Sequence, residues 1–263
     1  MQENIILLLK IILILIFGVL DDNIDLKPLI KTIYSLIVFF IFLIFNQKFR
    51  ITGIDIYFFK YNFLFVESLF FTIFCFYILQ NTINFSDGIN GVAILIVFCV
   101  NLILFYYNQD KYFAFQIIFF LNILIFTLIL NLNNKLFLGD AGVNLISFIT
   151  AINMITVYNQ ANSLLTQEKV LLYLLFPGLD LIRLVIERMY NKISPTKKDS
   201  NHLHHLLIRK FNLLKSLMIY LFLISWPFVF KLLFAITDLN LILLNLIFYS
   251  ILILYLKNKL KFY

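Results

Sequence analysis

The sequence predicts an all-α integral membrane protein, a polytopic bundle of about nine transmembrane helices with the N-terminus outside and the C-terminus cytoplasmic. Three observations lead there. Of the 263 residues 62% are hydrophobic and 13% charged, where a soluble domain carries roughly 25% charged residues. Mean hydropathy is correspondingly high, at +0.97. Apolar runs recur along the whole chain, and a hydrocarbon core about 30 Å thick needs roughly 20 helical residues, about 17 at the least. Finally, Lys and Arg crowd into alternate connections, the pattern that sets topology in a bilayer.

In order, the expected spans are 4–20, 29–45, 63–80, 92–107, 113–131, 143–158, 169–187, 215–236 and 240–256. Backbone polar groups in lipid must be satisfied inside each segment, and strand-length alternation is absent, so the spans are helices. No Pro/Gly/Ser-rich linker or 20–50-residue repeat interrupts them, which makes 1–263 one domain. The first span lacks a basic leader and ends in Asp21-Asp22, unlike a cleavable signal. One set of connections holds Lys27, Lys31, Lys135, Arg188, Lys192, Lys197, Lys198, Arg209, Lys210, Lys215, Lys257, Lys259 and Lys261. The opposite set holds Lys48, Arg50, Lys60, Lys111 and Lys169. The first set is therefore expected in the cytoplasm, and with it most of the +7 net charge, where an anionic lipid head or a nucleotide would approach. Without a soluble basic domain, nucleic acid is not an expected partner. Cys75 and Cys99 fall inside spans and read as small buried hydrophobes rather than a disulfide or metal pair.

Four polar islands interrupt the apolar pattern, and the parity of crossings puts all four on one face of the membrane. Asp21 and Asp22 end the first span, although a helix C-terminus disfavours carboxylates; such a pair suits a divalent cation or a proton. Asn81-Thr-Ile-Asn84-Phe-Ser-Asp87-Gly88-Ile-Asn90-Gly91 sets two amides three apart and then breaks into a turn. Amides and carboxylates at membrane depth are costly, which argues for a site. Phe137-Leu138-Gly139-Asp140-Ala141-Gly142 places a carboxylate between glycines, which let a backbone approach a ligand closely. The fourth island runs from Ser194-Pro195 through Asp199 to His202, His204 and His205, the chain's three histidines. Their spacing departs from zinc motifs and suits phosphate contact or Asp–His pairing. Asp180, Arg183 and Glu187 share a helix face and read as an ion-pair set. Lys10 and Lys231 read as snorkelling cations, and Trp226 as packing. Carboxylates, amides and imidazoles gathered at one membrane surface suggest metal-assisted phosphate chemistry there. A transporter would instead place ionisable residues at mid-membrane.

Together the islands resemble the polyprenyl-phosphate N-acetylhexosamine-1-phosphate transferase family (glycosyltransferase family 4), which includes the phospho-N-acetylmuramoyl-pentapeptide transferase of peptidoglycan synthesis. Asp21-Asp22 with Leu26, Pro28 and Lys31 is similar to its Asp-Asp-X-X-X-Leu-X-Pro-X-X-Lys element. Asn81–Gly91 is similar to Asn-X-X-Asn-X-X-Asp-Gly-X-Asp-Gly, with Asn90 in place of the second aspartate. Phe137–Gly142 is similar to Phe-Met-Gly-Asp-X-Gly-Ser, with Val143 in place of the serine. Ser194-Pro195, Asp199 and His202-Leu203-His204-His205 are similar to the histidine loop of the branch that uses simple UDP-HexNAc donors. Family members begin with two further spans and a Pro-X-Pro-X-Gly-Gly loop, which this chain is expected to lack.

The resemblance implies transfer of N-acetylhexosamine 1-phosphate from a UDP-sugar to undecaprenyl (polyprenyl) phosphate, with release of UMP, at the cytoplasmic face of a bacterial inner membrane, as the first membrane step of a cell-envelope glycan such as lipopolysaccharide. It implies Mg²⁺, with Mn²⁺ as a substitute, held by Asp140 with Asn84 nearby. Asp21 would position or deprotonate the lipid phosphate and Asp22 would support the metal region. Lys31, His202, His204 and His205 would contact phosphates or uridine, while Asn81 and Asp87 would shape the nucleotide pocket. Membrane lipid surrounds such a protein, and the resemblance leaves room for a homodimer. The alternative is a catalytically reduced relative that binds lipid phosphate or nucleotide sugar without turnover.

Overall fold

A computed structural model describes residues 28–57, 59–161, 163–192 and 201–258, with the backbone alone at 28, 29, 31, 32 and 258. The expected span 4–20, Asp21, Asp22, Ser194, Pro195 and Asp199 lie outside these. Helix α1 is Pro28–Phe45, followed by a 3₁₀ turn at Gln47–Phe49 and a hairpin of β1 (Gly53–Ile56) and β2 (Phe59–Asn62). Then come α2 (Phe65–Ser86), α3 (Val92–Tyr107), α4 (Lys111–Leu132), α5 (Gly139–Tyr158), α6 (Gln167–Tyr190), the short α7 (Leu203–Ile208), α8 (Leu213–Leu233) and α9 (Asp238–Asn258). Five helices, α2, α4, α5, α8 and α9, are long and apolar enough to cross a membrane. The chain is a helical, polytopic membrane protein, and each expected span from 29–45 onward coincides with one of its helices.

Two differences from the expected elements have physical causes. Helix α2 runs on from Gln80 to Ser86, because Asn81 and Ser86 turn their side chains back onto the carbonyls of Tyr77 and Thr82 (both 2.8 Å), so the polar residues do not end the helix. The β-hairpin was not expected in an all-α chain. It pairs Gly53 with Asn62 and Ile56 with Phe59 across a short loop in which Tyr57 takes φ 49°. Strands of four residues are too short to carry a readable alternation. Much of the hairpin's support comes from outside it: Gln167 of α6 accepts from Asp55 N (2.8 Å) and donates to Gly53 O (2.7 Å).

Successive helices return to the same two ends of the bundle. At one end, Asn159 of α5 donates to Lys48 O (2.9 Å), Gln160 accepts from Gln109 N (2.9 Å), and Lys231 pairs with Asp238 at 2.9 Å, so that Lys231 is an ion-pair partner there. At the other end, Gly91 N–H donates to Asn131 Oδ1 (2.6 Å) and Lys257 of α9 reaches Glu187 of α6. Between the ends, Phe39 and Phe42 of α1, Phe76 of α2 and Phe148 of α5 form a ring cluster, the closest centroids being 3.6 Å apart. A second cluster gathers Leu172, Tyr220 and Trp226 among α3, α6, α8 and α9. Trp226 packs edge-on against Phe230 and Phe248, the packing role its sequence context suggested.

One polar layer crosses this interior. Asn101 of α3, fully buried, donates to Thr150 Oγ1 (3.0 Å) and accepts from Asn153 Nδ2 (2.8 Å), both on α5. In lipid such bonds contribute about 0.6 kcal/mol on average and up to about 1.7. Asn101→Leu should therefore lower stability by about 1 kcal/mol by stranding Asn153. Adding Asn153→Leu should recover part of that loss. Unfolding by denaturing detergent in mixed micelles reads both, and an unchanged midpoint for Asn101→Leu would refute the assignment.

Candidate active site

The end of the bundle that carries Gly91 and Glu187 collects every described polar island. Asn81 and Asn84 lie on the last turns of α2, and Asp87 is its C-terminal cap. The chain then turns sharply: Gly91 takes φ 88° at the start of α3, a region closed to most side chains. Two amides staple this turn to the α4–α5 connection. Gly91 N–H donates to Asn131 Oδ1, and Asn90 Nδ2 donates to Asn134 Oδ1 (2.7 Å). Asn90, which stands where the family pattern has aspartate, is thus tied to the next loop.

Asp140 lies in the first turn of α5, where the helix dipole favours a carboxylate. Its register against α2 follows from one bond, Gln80 Nε2 to Asn144 Oδ1 at 2.6 Å. Helices α2 and α5 run antiparallel, Asn84 is four residues after Gln80, and Asp140 is four residues before Asn144. Side chains four apart share a helix face, so Asn84 and Asp140 lie one turn further along the same seam, toward the polar end. Asn84 is exposed and Asp140 partly so. Gln80 Oε1, deeper in that seam, is buried with no partner among the described residues.

The histidines reach the site on α7, and what holds α7 there was not foreseen from the sequence. Asp180, buried on α6, accepts from Leu203 N at the start of α7 (3.0 Å), from Arg183 Nη2 (2.7 Å) and from Tyr249 OH of α9 (3.1 Å). His202 Nδ1 is 3.5 Å from the same carboxylate. Arg183 also donates to Asn201 O (2.7 Å) and pairs with Glu187 (3.0 Å). The ion-pair set expected on this face is present, and it carries the histidine segment. The readable signal was an aspartate and an arginine three apart in an apolar span, where ionisable residues are uncommon without a task.

A column of planar groups completes the contact. The buried Arg188 guanidinium lies 5.6 Å from the Phe85 ring centre, Phe85 stacks on His202 (5.4 Å, 24°), and His202 stacks on His204 (5.3 Å, 10°). His204 and His205 press against the turn after α2. A Cβ placed on Gly88 would sit 2.3 Å from His204 Nε2 and 3.0 Å from His205 Nε2, so the imidazoles occupy the space that any other residue at 88 would fill. His204 is 1% exposed, and neither ring nitrogen has a partner among the described residues. Burial first, then the neighbouring His205 and His202, push its pKa down to about 3, so this imidazole is neutral in ordinary buffers. His205 is the least buried of the three.

Of the expected site residues, Asn81, Asn84, Asp87, Asp140, His202, His204 and His205 share this end. Lys31 is on the first turns of α1, described by its backbone alone, and Asp21 and Asp22 lie outside the described residues. Among the described residues, no three His, Cys, Asp or Glu side chains group closely enough to hold a metal ion. The Asp140 and Asn84 oxygens nonetheless suit a hard cation such as Mg²⁺, which commonly takes one or two protein carboxylates and fills its other positions with water and substrate phosphate.

Comparison with known proteins bears on what this end of the bundle is. The undecaprenyl-phosphate alpha-N-acetylglucosaminyl 1-phosphate transferase of Escherichia coli is 24% identical over 206 residues, 74% of this chain and 56% of the relative. Its Yersinia pestis counterpart is 30% identical over 147 residues, 52% of this chain and 40% of the relative, and that of Salmonella typhi 23% over 206 residues. The chain spans about half the length of the curated relatives it matches. The model of glycosyl transferase family 4 matches residues 4–158, more than half of the chain and inclusive of the Asn81–Gly91 turn and Asp140, and on that match the chain belongs to glycosyl transferase family 4.

Proposed function

We propose that the chain transfers N-acetylhexosamine 1-phosphate from a UDP-sugar to polyprenyl phosphate and releases UMP, with the histidine-bearing end facing the cytoplasm of a bacterial inner membrane. The observation that carries this reading is the Gln80–Asn144 bond between α2 and α5, which supports the alignment of Asn84 with Asp140, together with the Gly88–His204 contact just past the end of α2. Relatives named for undecaprenyl phosphate and N-acetylglucosamine 1-phosphate support the substrate class. The basic residues Lys135, Arg188, Lys192, Arg209, Lys210 and Lys257 at the same end support the orientation, because positive loops stay in the cytoplasm. On this assignment the C-terminus is cytoplasmic, and the count of nine spans with an outside N-terminus includes the segment 4–20. Residues 1–263 act as one transferase domain. Whether two copies associate is part of the same proposal and is read by light scattering in detergent.

In the reaction, an oxygen of the lipid phosphate forms a bond to the β-phosphorus of the UDP-sugar while the bond from that phosphorus to the bridging oxygen breaks, and UMP departs with the electron pair. Both reactants are anions. Mg²⁺, when bound, would offset their charge and align the displacement. Asp140 and Asn84 would hold it, and Asp22 would support that region. Asp21 orients the lipid phosphate; because the second pKa of a phosphate monoester is near 6, removing its proton at neutral pH is a small demand, and positioning is the larger part of the task. Lys31 and His205 contact phosphate. Asn81 and Asp87 shape the nucleotide pocket. His204, buried and stacked on His202, contributes shape and neutral hydrogen-bonding capacity rather than charge.

Purified protein in detergent with UDP-GlcNAc, polyprenyl phosphate and Mg²⁺ should release UMP, chelation should stop it, and added Mg²⁺ should restore it. Asp140→Ala should lower the rate at least about 100-fold, since several kcal/mol of charge stabilisation depend on that ligand. Absence of UMP with every UDP-HexNAc tried would overturn the proposal, and binding of UDP-sugar without UMP would favour the non-catalytic alternative. Gly88→Ala must displace His204, an overpacking that costs about 1–3 kcal/mol; activity should fall at least about 10-fold while the helical circular dichroism is retained, and full activity would remove the Gly88–His204 contact from the site. The depressed pKa of His204 also sets a pH dependence. Its contribution to stability is fully present above the unfolded value of 6.5 and drains away as pH falls from there toward about 3, because the unfolded chain takes up the proton first. At pH 5 the loss should reach no more than about 2 kcal/mol. Melting curves of wild type and His204→Leu from pH 7.5 to 5 test this, and equal pH slopes would refute it.

A further inference from the structure

At the opposite end of the bundle, the hairpin is two-faced. Its register pairs Ile54 with Tyr61 and Ile56 with Phe59 on one face, and Asp55 with Lys60 on the other. Asp55 and Lys60 form an ion pair at 2.9 Å, and both side chains are mostly exposed. The apolar face is open too: Phe59 is 60% exposed and Tyr61 44%. Two exposed aromatic rings on a four-residue strand are costly in water. They continue a ladder of rings that leads off the hairpin, from Phe59 to Tyr61 (6.5 Å), to Phe63 (5.6 Å) and to Phe71 of α2 (4.8 Å). Helix α2 crosses the membrane, and Val66, Phe70 and Phe74 beside this ladder are exposed, facing lipid in the native setting. At the junction, the Arg50 guanidinium lies 4.1 Å from the Phe65 ring centre, the paired cation and aromatic ring typical of a bilayer boundary.

We propose that the hairpin is an interfacial anchor: its Phe59/Tyr61 face rests in the phospholipid headgroup layer while its Asp55/Lys60 face stays in water. Continuity with the lipid-facing side of α2 selects lipid as the occupant, and the alternation of apolar and charged faces sets which side is immersed. The anchor also bears on α6, because Gln167 bonds both Asp55 and Gly53, and Glu168 accepts from Tyr57 N (3.2 Å). Immersion of the hairpin thus fixes the height of the helix that carries Asp180 in its second half.

The chain's single tryptophan makes this measurable. In a Trp226→Phe background, Phe59→Trp, Tyr61→Trp and Lys60→Trp variants of the whole chain are placed one at a time in phosphatidylcholine vesicles, with acyl chains brominated near the headgroup or near the bilayer centre. Fluorescence at 59 and 61 should be quenched several-fold more by the shallow bromines than by aqueous iodide, with the deep bromines weaker, and position 60 should show the reverse preference for iodide. Equal quenching at all three positions, whether from a misfolded or a fully aqueous hairpin, would overturn the proposal. So would protection of 59 and 61 from both quenchers, which would mean that protein covers that face.

Discussion

Every helix in this bundle obeys one constraint: within hydrocarbon, a backbone N–H or C=O left unpaired costs several kcal/mol, so the chain turns only where it leaves the lipid. Irregular backbone is therefore confined to two layers, whatever the separation of its segments in sequence. Gly88 and His204 lie more than a hundred residues apart, yet the chain between them can only cross and return. The same constraint sorts the chain's polar groups by task. Those inside, such as Asn101, Thr150 and Asn153, bond one another across α3 and α5 and act as cement between helices. Those at the polar end stay partly open, as Asn84 and Asp140 do.

What the constraint does not supply is precision, and here the ties of α6 matter. Helix α7 has only six residues, too few to hold its own place. It is held by Asp180, whose carboxylate takes the backbone N–H of Leu203 while Arg183 and Tyr249 bind its other oxygen. The acceptor capacity of this buried carboxylate is largely used, and the half-buried Arg183 guanidinium beside it is spread over Asp180, Glu187, Tyr249 and Asn201. Breaking one partner of so buried a set is far more damaging than never having built it. The histidine segment is therefore as rigid as the α6–α9 pair beneath it.

How much of this could be read from the residues depended on the range of the interaction concerned. Span length and composition are properties of single segments, and the helices fall where the apolar runs lie. The polar islands stood out because amides and carboxylates in such a context have few structural uses. The Gln80–Asn144 bond was not legible, because nothing local distinguishes it from other amides at helix ends, and it is this bond that sets Asn84 against Asp140. Phe85 and Arg188 were hidden for a related reason. A phenylalanine among 32 carries no signal of its own, and only the fold shows it placed between a guanidinium and an imidazole. The hairpin was missed because its strands are short and its aromatic residues match the composition of the spans around it.

The state of His204 bears on how an anion would be drawn to this end of the bundle. Imidazoles near an anion are readily imagined as cations, but His204 is desolvated and flanked by two like groups, so that protonation is suppressed to about pH 3. The exposed and half-exposed Lys135, Lys192, Arg209, Lys210 and Lys257 supply positive potential at this end. That division has a physical rationale. A cationic imidazole packed against the Gly88 turn would need its own counter-charge. A neutral ring stacks, fills the space left by a missing Cβ and retains one acceptor and one donor nitrogen. Long-range attraction then belongs to the exposed cations at the rim, and short-range shape to the buried imidazole of His204 beneath them.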